Sequence, residues 1–272
     1  MPELPEVENL ARGLRPRLIG ATIQDAVCHF PPVLLPNSEC FADIVRGRSF
    51  EQIRRHGKYL FFLLSGRTVM ALHLRMTGQF LFVGCEQPPD KHTHLELILA
   101  EGQYKVIFRD VRKFGRLKLL EGSIERFLRE KRLGTDALLI STEELYKRFQ
   151  ETSRGIKATL LDQTKIAGLG NIYTDEILFR ESLSPLRKAR SLSTEAVASL
   201  RRSLHSVLRS AIRRKGTTIS DYVDSTGRRG SYQDSLLVYA RAGKPCRRCG
   251  TTLMRSLVAG RGTYTCPSCQ RL

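Results

Sequence analysis

The sequence predicts an α+β protein with an N-terminal helix and an antiparallel β-sandwich, then a helical domain, and a cysteine-bearing β-hairpin at the end. Three patterns predict this fold. Apolar residues recur at helical spacing after Pro5, short β-rich segments fill the stretch to about residue 120, and helical spacing returns at residue 142. The predicted limits are 1–133 for the sandwich domain, 134–141 for a linker, 142–235 for the helical domain and 236–272 for the hairpin.

The first domain begins with a helix whose apolar residues Val7, Leu10, Leu14 and Leu18 lie on one face, and Gly20 ends it. After it come short runs rich in β-branched and aromatic residues, separated by glycine and proline. The spacing of these turns is typical of an antiparallel sandwich or barrel. The predicted strands are Thr22–Phe30, Tyr59–Leu64, Val69–Leu74, Phe80–Val83, His94–Leu99, Lys105–Phe108 and Leu117–Leu120.

The second half is predicted to be helical after a break at Gly134. The expected helices are Thr142–Thr152, Gly155–Gln163, Asn171–Arg180 and Thr194–Arg214. Gly168 and Gly170 precede the helix that opens at Asn171, where backbone N–H groups could seat an anion, although this glycine spacing is weak alone. Together with the nearby Arg154 and Lys157, this turn favours a helix–turn–helix that binds a DNA backbone.

Two basic segments of this half allow two interpretations each. The last long helix carries several arginines with no acidic residue between Arg201 and Lys215. Its basic face is either exposed to solvent or in contact with phosphate. The glycine-punctuated loop Ser220–Tyr232 is either a cover over a ligand or a long connection.

The charge of the chain indicates a polyanionic partner. Its 272 residues hold 45 Lys+Arg against 27 Asp+Glu, a formal net charge of +18, and nucleic acid is the commonest polyanion. An anionic membrane is the alternative, but no basic amphipathic helix with exposed aromatic residues is evident. The sequence has neither an apolar run of 18 residues nor a signal-peptide pattern, so we expect a cytoplasmic protein. We also expect a monomer.

Four of the seven cysteines form two Cys-x-x-Cys pairs near the end of the chain. Cys246 and Cys249 are separated from Cys266 and Cys269 by a predicted hairpin, a spacing that matches tetrahedral zinc held by four thiolates. With all four positions taken by protein, the metal is structural. Arg261 at the hairpin tip suits a phosphate, or is an ordinary surface arginine.

The first residues carry a candidate nucleophile. Removal of Met1 would give Pro2 a free secondary amine, which can attack an electrophilic carbon and form an iminium. Glu3 and Glu6 follow directly and could transfer protons. The structural alternative is that Pro5 opens a helix and the glutamates suit its positive end.

Two loops of the β domain carry residues that could enter a base stack. Met76 lies in His73–Gly78, and Arg112 and Phe114 lie in Arg109–Gly115. Taken singly, Met76 and Phe114 are also ordinary core residues. Lys58 and His92 could contact phosphate or transfer protons, and His92 with His94 could bind a metal, although no third ligand is near in sequence.

Several of these motifs together resemble the formamidopyrimidine-DNA glycosylase family from the first residue to about Gln270. They are Pro2–Glu8, His73–Gly78, Asp162-Gln163 with Gly170–Glu176, Gly216-Thr217-Thr218, and Gly260–Thr263 with the four cysteines. The resemblance implies a bifunctional base-excision enzyme, a DNA glycosylase with lyase activity at abasic sites. It also implies a helix–two-turn–helix arrangement in the helical domain and a nucleoid-associated location.

The same resemblance implies roles for individual residues. Pro2 would attack C1′ of a flipped, oxidised purine nucleotide, Glu3 would protonate the sugar or the leaving base, and Glu6 would order the site. Lys58 would contact phosphate and assist strand cleavage by β,δ-elimination, and Arg261, counted with the catalytic residues, would hold a phosphate beside the lesion. The implied DNA contacts are Met76, His92, Arg112, Phe114, Arg154, Lys157 and Asn171, with Arg112 facing the orphaned cytosine and the 220–232 loop closing over the base.

The sequence departs from the family pattern at Thr93, Val111 and Ser184, where Asp, Pro and His are usual. All three lie beside functional positions, where they bear on loop geometry more than on activity. One alternative is the sister enzyme for oxidised pyrimidines, although Leu4 favours the purine branch. Two others are a non-enzymatic zinc-finger DNA-binding protein and an RNA-associated zinc protein.

Overall fold

The computed structural model describes residues 1–35, 40–100 and 102–271. Two compact units make up the chain: Met1–Glu130 with Arg214–Ser231, and Lys131–Arg213 with the chain from Tyr232 onward. Residues 214–231 were predicted to belong to the helical domain, but they are part of the β-rich unit. None of the described helices is long and apolar enough to cross a membrane.

The first unit contains two sheets, and helix α1 (Leu4–Leu18) precedes them in the chain. The strands are β1 (Ile23–Cys28), β2 (Leu34–Leu35), β3 (Phe50–His56), β4 (Tyr59–Leu64), β5 (Thr68–His73), β6 (Gly78–Gly84), β7 (Thr93–Leu99), β8 (Tyr104–Asp110) and β9 (Arg116–Leu119). One sheet has the order β1-β7-β8-β6 and the other the order β2-β9-β5-β4-β3. All neighbours are antiparallel except β2 and β9.

The core of this unit lies between the two sheets and includes the apolar face of α1. Leu14 and Leu18 of the helix belong to the same buried cluster as Phe62 of one sheet and Leu97 and Phe108 of the other. Burying one such side chain stabilises the fold by about 1.5–3 kcal/mol. The predicted sandwich is therefore confirmed.

Strands β2 and β3 and two short helices of this unit were not predicted, and β2 has only two residues. Strand β3 has only Phe50 and Ile53 as buried residues, and its other positions are polar, so its alternation is weak in the sequence. Helices α2 (Phe41–Val45) and α3 (Ile124–Glu130) each span fewer than eight residues. Such short elements form because tertiary packing covers their apolar side chains.

The second unit is helical and ends in a hairpin, as predicted. Its helices are α4 (Thr142–Gln150), α5 (Ile156–Leu161), α6 (Asn171–Arg180) and α7 (Thr194–Arg213). A parallel bridge joins β10 (Thr135–Asp136) to β11 (Ile166–Ala167), and the hairpin consists of β12 (Met254–Val258) and β13 (Arg261–Thr265). The residues between the hairpin strands, Ala259 and Gly260, both have positive φ, which a tight two-residue turn requires.

Candidate functional site

Pro2, Glu3 and Glu6 lie together at the start of α1, and all three are buried. The backbone N–H of Glu3 donates to Oε2 of Glu6 at 2.8 Å, and the two glutamates form a reciprocal capping box around the first helical turn. Pro5 occupies an early helical position, where a missing N–H costs nothing. Pro5 and the two glutamates therefore have the helix-capping role predicted as the alternative to catalysis.

Glu6 also binds a segment that follows much later in the chain. Its Oε1 accepts the backbone N–H of Thr217 at 2.8 Å, and its main-chain oxygen accepts the hydroxyl of Tyr222 at 3.3 Å. The carboxylate is only 1% exposed. Glu6 thus fixes the residues beside Pro2 in addition to capping the helix.

Lys58 lies in the tight turn between β3 and β4, next to Gly57, which has a φ of 55°. Its side chain is buried. Tyr59 pairs across the sheet with His73, whose Nδ1 accepts the N–H of Arg75 at 3.0 Å. Burial, with the nearby Arg75 and Lys58 charges, lowers the pKa of His73 to about 3, so this imidazole stays neutral at physiological pH.

The loops of Met76 and of Arg112 and Phe114 are joined by one buried carboxylate. Asp110 accepts the hydroxyl of Thr77, and it also accepts backbone N–H groups from both ends of the second loop, at Arg112 (3.1 Å) and Gly115 (2.7 Å). This network supports the two loops from beneath.

The side chains at the tips of these loops face solvent. Met76 is 38% exposed and Phe114 is 49% exposed, and the Arg112 guanidinium lies 4.8 Å from the centre of the Phe114 ring. Neither Met76 nor Phe114 is therefore a core residue. Exposed apolar side chains on supported loops can insert between bases.

His92 lies in a turn organised by Asp90. One Asp90 oxygen accepts the backbone N–H of His92 at 3.0 Å and the Thr93 hydroxyl at 2.9 Å, and the other accepts Arg109 at 2.8 Å. Burial raises the pKa of Asp90, but these hydrogen bonds outweigh it and bring the pKa to about 2. Thr93, a departure from the family pattern, is thus part of the turn that holds His92.

In the second unit, Gln163 shapes the turn that leads into α6. Its side chain donates to the main-chain oxygens of Leu161 and Leu169 and accepts the N–H of Gly168. Asn171 then opens α6, and its Nδ2 donates to the main-chain oxygen of Gly262 at 2.7 Å. The turn is therefore connected directly to the hairpin.

Lys157, one of the predicted DNA contacts, is fully buried. Its Nζ donates to Asp175 at 2.6 Å and to the Thr263 hydroxyl at 2.7 Å. The ammonium group is therefore engaged inside the unit. Arg154 and Arg261, by contrast, are exposed, and Arg154 forms an ion pair with Asp162 at 2.9 Å.

The four cysteines of the hairpin form one cluster. The sulfur atoms of Cys246, Cys249, Cys266 and Cys269 all lie within 4.8 Å of one another. Tetrahedral zinc with bonds of about 2.3 Å places its sulfur ligands about 3.8 Å apart, so the cluster fits one structural zinc ion. The metal would close the open end of the hairpin.

Sequence reasoning missed the residues that hold these groups in place. Asp110 and Tyr222 have no recognisable local pattern, because their partners lie far away in the chain. Asp175 and Glu176 appeared only within a family motif. Glu176 accepts the N–H groups of Leu237, Val238 and Tyr239 at 2.9–3.0 Å, and this segment precedes the hairpin.

We expect Gly216→Ala to destabilise the first unit. Gly216 has a φ of 82°, and an added Cβ would lie 2.9 Å from Oε1 of Glu6. The backbone strain alone costs about 1–2 kcal/mol, and the contact adds to it. Gly20→Ala is the control, because Gly20 has a φ of 89° with nothing within 4 Å. Equal losses of melting temperature in the two variants would contradict the close approach to Glu6.

Cys249→Ser should remove the metal and lower the melting temperature, because a structural zinc site contributes its binding free energy to folding. Cys85→Ser is the control, since this half-buried cysteine lies in the first unit, outside the four-sulfur cluster. The metal content of the purified proteins is measured by atomic emission. A full equivalent of zinc in Cys249→Ser would contradict the four-thiolate site.

Three family models match consecutive parts of the chain. The formamidopyrimidine-DNA glycosylase N-terminal domain matches residues 1–117, and the H2TH domain of the same enzyme matches residues 133–223. The zinc finger found in FPG and IleRS matches residues 243–272. The prediction of one structural zinc is thereby confirmed.

Curated relatives are similar over the whole length. Formamidopyrimidine-DNA glycosylase of Desulfitobacterium hafniense is 43% identical, with 99% of this chain and 100% of the relative covered. That of Geobacillus kaustophilus is 40% identical, with 100% of both covered.

Solved structures of Lactococcus lactis Fpg are similar in fold. An FPG mutant in complex with a Fapy-dG-containing DNA has a TM-score of 0.94 at 33% identity, with all of both chains covered. A complex of Lactococcus lactis Fpg with DNA containing an abasic site has a TM-score of 0.93 at 33% identity, covering 99% of this chain and 100% of that one. Together with the geometry at Pro2 and the four cysteines, these similarities show that the chain belongs to the formamidopyrimidine-DNA glycosylase family.

Proposed function

We propose that the protein removes oxidised purines, such as 8-oxoguanine and formamidopyrimidines, from duplex DNA and then cleaves the strand. The observation that carries this proposal is the arrangement at the start of α1. Pro2 is buried beside two glutamates that are 1–2% exposed, and Glu6 is bonded on both of its carboxylate oxygens. Both carboxylates belong to the capping box, which holds them beside Pro2, and a carboxyl group held there can transfer a proton.

The first chemical step uses the amine that removal of Met1 would leave on Pro2. The nitrogen lone pair attacks C1′ of the damaged nucleotide, the bond from C1′ to the base breaks with its electrons leaving on the base, and the amine gives up its proton. The nitrogen lone pair then breaks the bond from C1′ to the ring oxygen, and Glu3 supplies a proton to that oxygen or to the leaving base. The product is an iminium between Pro2 and the opened sugar.

Strand cleavage follows from the same intermediate. The positive iminium makes the C2′ protons acidic, so loss of one proton expels the 3′ phosphate by β-elimination. A second elimination expels the 5′ phosphate. Lys58 and Arg261 are the residues that we assign to these two steps, as proton-transfer or phosphate-stabilising groups.

Exposed and half-buried residues suit contacts to duplex DNA. Met76, Arg112 and Phe114 lie on supported loops and would fill the gap left by the extruded base, with Arg112 facing the orphaned cytosine. His92 and Arg154 would contact phosphates, and so would Asn171 through the start of α6. The formal net charge of +18 favours such binding, and it favours association with the nucleoid as well.

The 220–232 loop is the proposed cover over the extruded base. It is attached to β6 at two points, where Gln79 donates to the main-chain oxygen of Asp221 at 2.7 Å and the N–H of Phe82 donates to that of Ser225 at 2.8 Å. Residues 226–229, which follow the attachment at Ser225 and precede Gly230, are exposed. A loop held at its base and open at its tip can move over a ligand.

Borohydride trapping tests the Pro2 mechanism. Reduction of the iminium should link the protein covalently to a duplex that contains 8-oxoguanine, and a protein with an N-terminal extension should give no adduct. The control carries the same extension at the C-terminus and should be trapped normally. Full trapping with the blocked N-terminus would rule out Pro2 as the nucleophile, and no adduct at all would favour a DNA-binding zinc protein without catalysis.

Lesion preference tests the choice of oxidised purines. We expect faster excision of 8-oxoguanine paired with cytosine than of thymine glycol in the same duplex, measured in single turnover. The purine branch of the family is favoured by Leu4 and by the Arg112–Phe114 pair. Faster release of thymine glycol would assign the protein to oxidised pyrimidines instead.

A further inference from the structure

We propose that Asp175 is a positioning residue for Arg261, acting through a buried chain of hydrogen bonds that crosses from α5 and α6 to β13. Asp175 lies one turn into α6, and its carboxylate has no exposed surface. Its Oδ1 accepts Lys157 Nζ at 2.6 Å, and its Oδ2 accepts the backbone N–H of Tyr264 at 2.9 Å. This inference rests on the proposed contact of Arg261 with phosphate.

The chain continues from Lys157 to the residue that it positions. Lys157 Nζ donates to the Thr263 hydroxyl at 2.7 Å, and that hydroxyl donates to the main-chain oxygen of Arg261 at 3.0 Å. Asn171 holds the intervening Gly262 through its main-chain oxygen. Gly262, Thr263 and Tyr264 are therefore each bonded directly to a helix, and Arg261 is joined to them through the Thr263 hydroxyl.

The hairpin needs this support because it is small and largely exposed. An isolated two-stranded hairpin is at best marginally stable in water. The cysteine cluster closes one end, where Cys266 follows β13, but Arg261 lies at the opposite end, directly after the turn. The anchors from α5 and α6 hold the strand between these ends, so they determine where the arginine backbone is placed.

A carboxylate is required at position 175 because both of its partners are donors. An ammonium group and a backbone N–H face the two oxygens, whereas an asparagine would direct an NH2 group at one of them. The Lys157 charge would also be left buried without its counter-ion, which is costly. Glu176 lies next in sequence but holds residues 237–239, so it does not contact β13.

The test is a double-mutant cycle on binding to a duplex that contains a tetrahydrofuran abasic analogue, which cannot be excised. We expect Arg261→Ala to raise the Kd about tenfold, as loss of one charged hydrogen bond would. Asp175→Asn should raise it comparably, and the double variant should bind no more weakly than Arg261→Ala alone. The slope of log Kd against log salt should fall by about 0.9 in all three.

Two further variants separate positioning from general destabilisation. Thr263→Val removes the hydroxyl with little change in shape and should match Asp175→Asn, whereas Thr263→Ser keeps the hydroxyl and should bind normally. Glu96→Gln is the control, because Glu96 and Lys105 form a buried ion pair in the first unit. Its effect should add to that of Arg261→Ala. Zinc content is measured in every variant.

The outcomes distinguish this inference from the proposed function. Additive effects of Asp175→Asn and Arg261→Ala, or normal binding by zinc-loaded Asp175→Asn, would overturn the positioning role while leaving Arg261 as a phosphate contact. Unchanged binding by Arg261→Ala would overturn both. If Asp175→Asn does not fold, the Thr263→Val and Thr263→Ser pair decides the question, and equal binding by these two variants refutes it.

Discussion

The carboxylate of Glu6 is the interaction on which the candidate active site depends. One of its oxygens holds the first turn of α1, and the other holds Thr217, which lies 211 positions later in the chain. A buried charge is tolerated only when hydrogen bonds replace its lost hydration. The surroundings of Pro2 are therefore determined jointly by the first residues and by the segment 214–231, which is distant in sequence but belongs to the same unit.

Other buried carboxylates hold loops and strands in the same way. Asp110 supports two loops of the first unit, Asp175 supports β13, and Glu176 accepts three consecutive N–H groups ahead of the hairpin. A charged acceptor forms stronger hydrogen bonds than a neutral one, each worth about 1.5–3 kcal/mol. Met76 and Arg261 face solvent, and buried carboxylates fix the backbone segments that carry them.

These buried acids also affect the surface charge. Among the described residues, more acidic than basic side chains are buried, and three of the buried acids are Glu3, Glu6 and Asp110. Their negative charge is directed inward, toward backbone N–H groups. The surface is therefore more basic than the formal net charge of +18 suggests, which strengthens the attraction for a polyanion.

Much of the fold could be predicted because its signals are local. The apolar spacing after Pro5, the regular turns of the sandwich and the cysteine pairs each lie within a few residues, and the corresponding α1, strands and hairpin are present. Strand β3 was not predicted because most of its residues are polar, and it forms a strand through its pairing with β4. Residues 214–231 were placed in the helical domain because sequence order gave no sign of their contacts with α1 and β6.

The sequence alone determined the type of chemistry: a proline behind the initiator methionine, two acids beside it, a thiolate zinc site and a basic surface. Only the tertiary structure decided which side chains are buried and which are exposed. It buried the Lys157 ammonium against Asp175 and left Met76 and Phe114 exposed, the reverse of what their side-chain types suggest. The reason is that burial depends on partners distant in the chain, and residue type alone does not specify those partners.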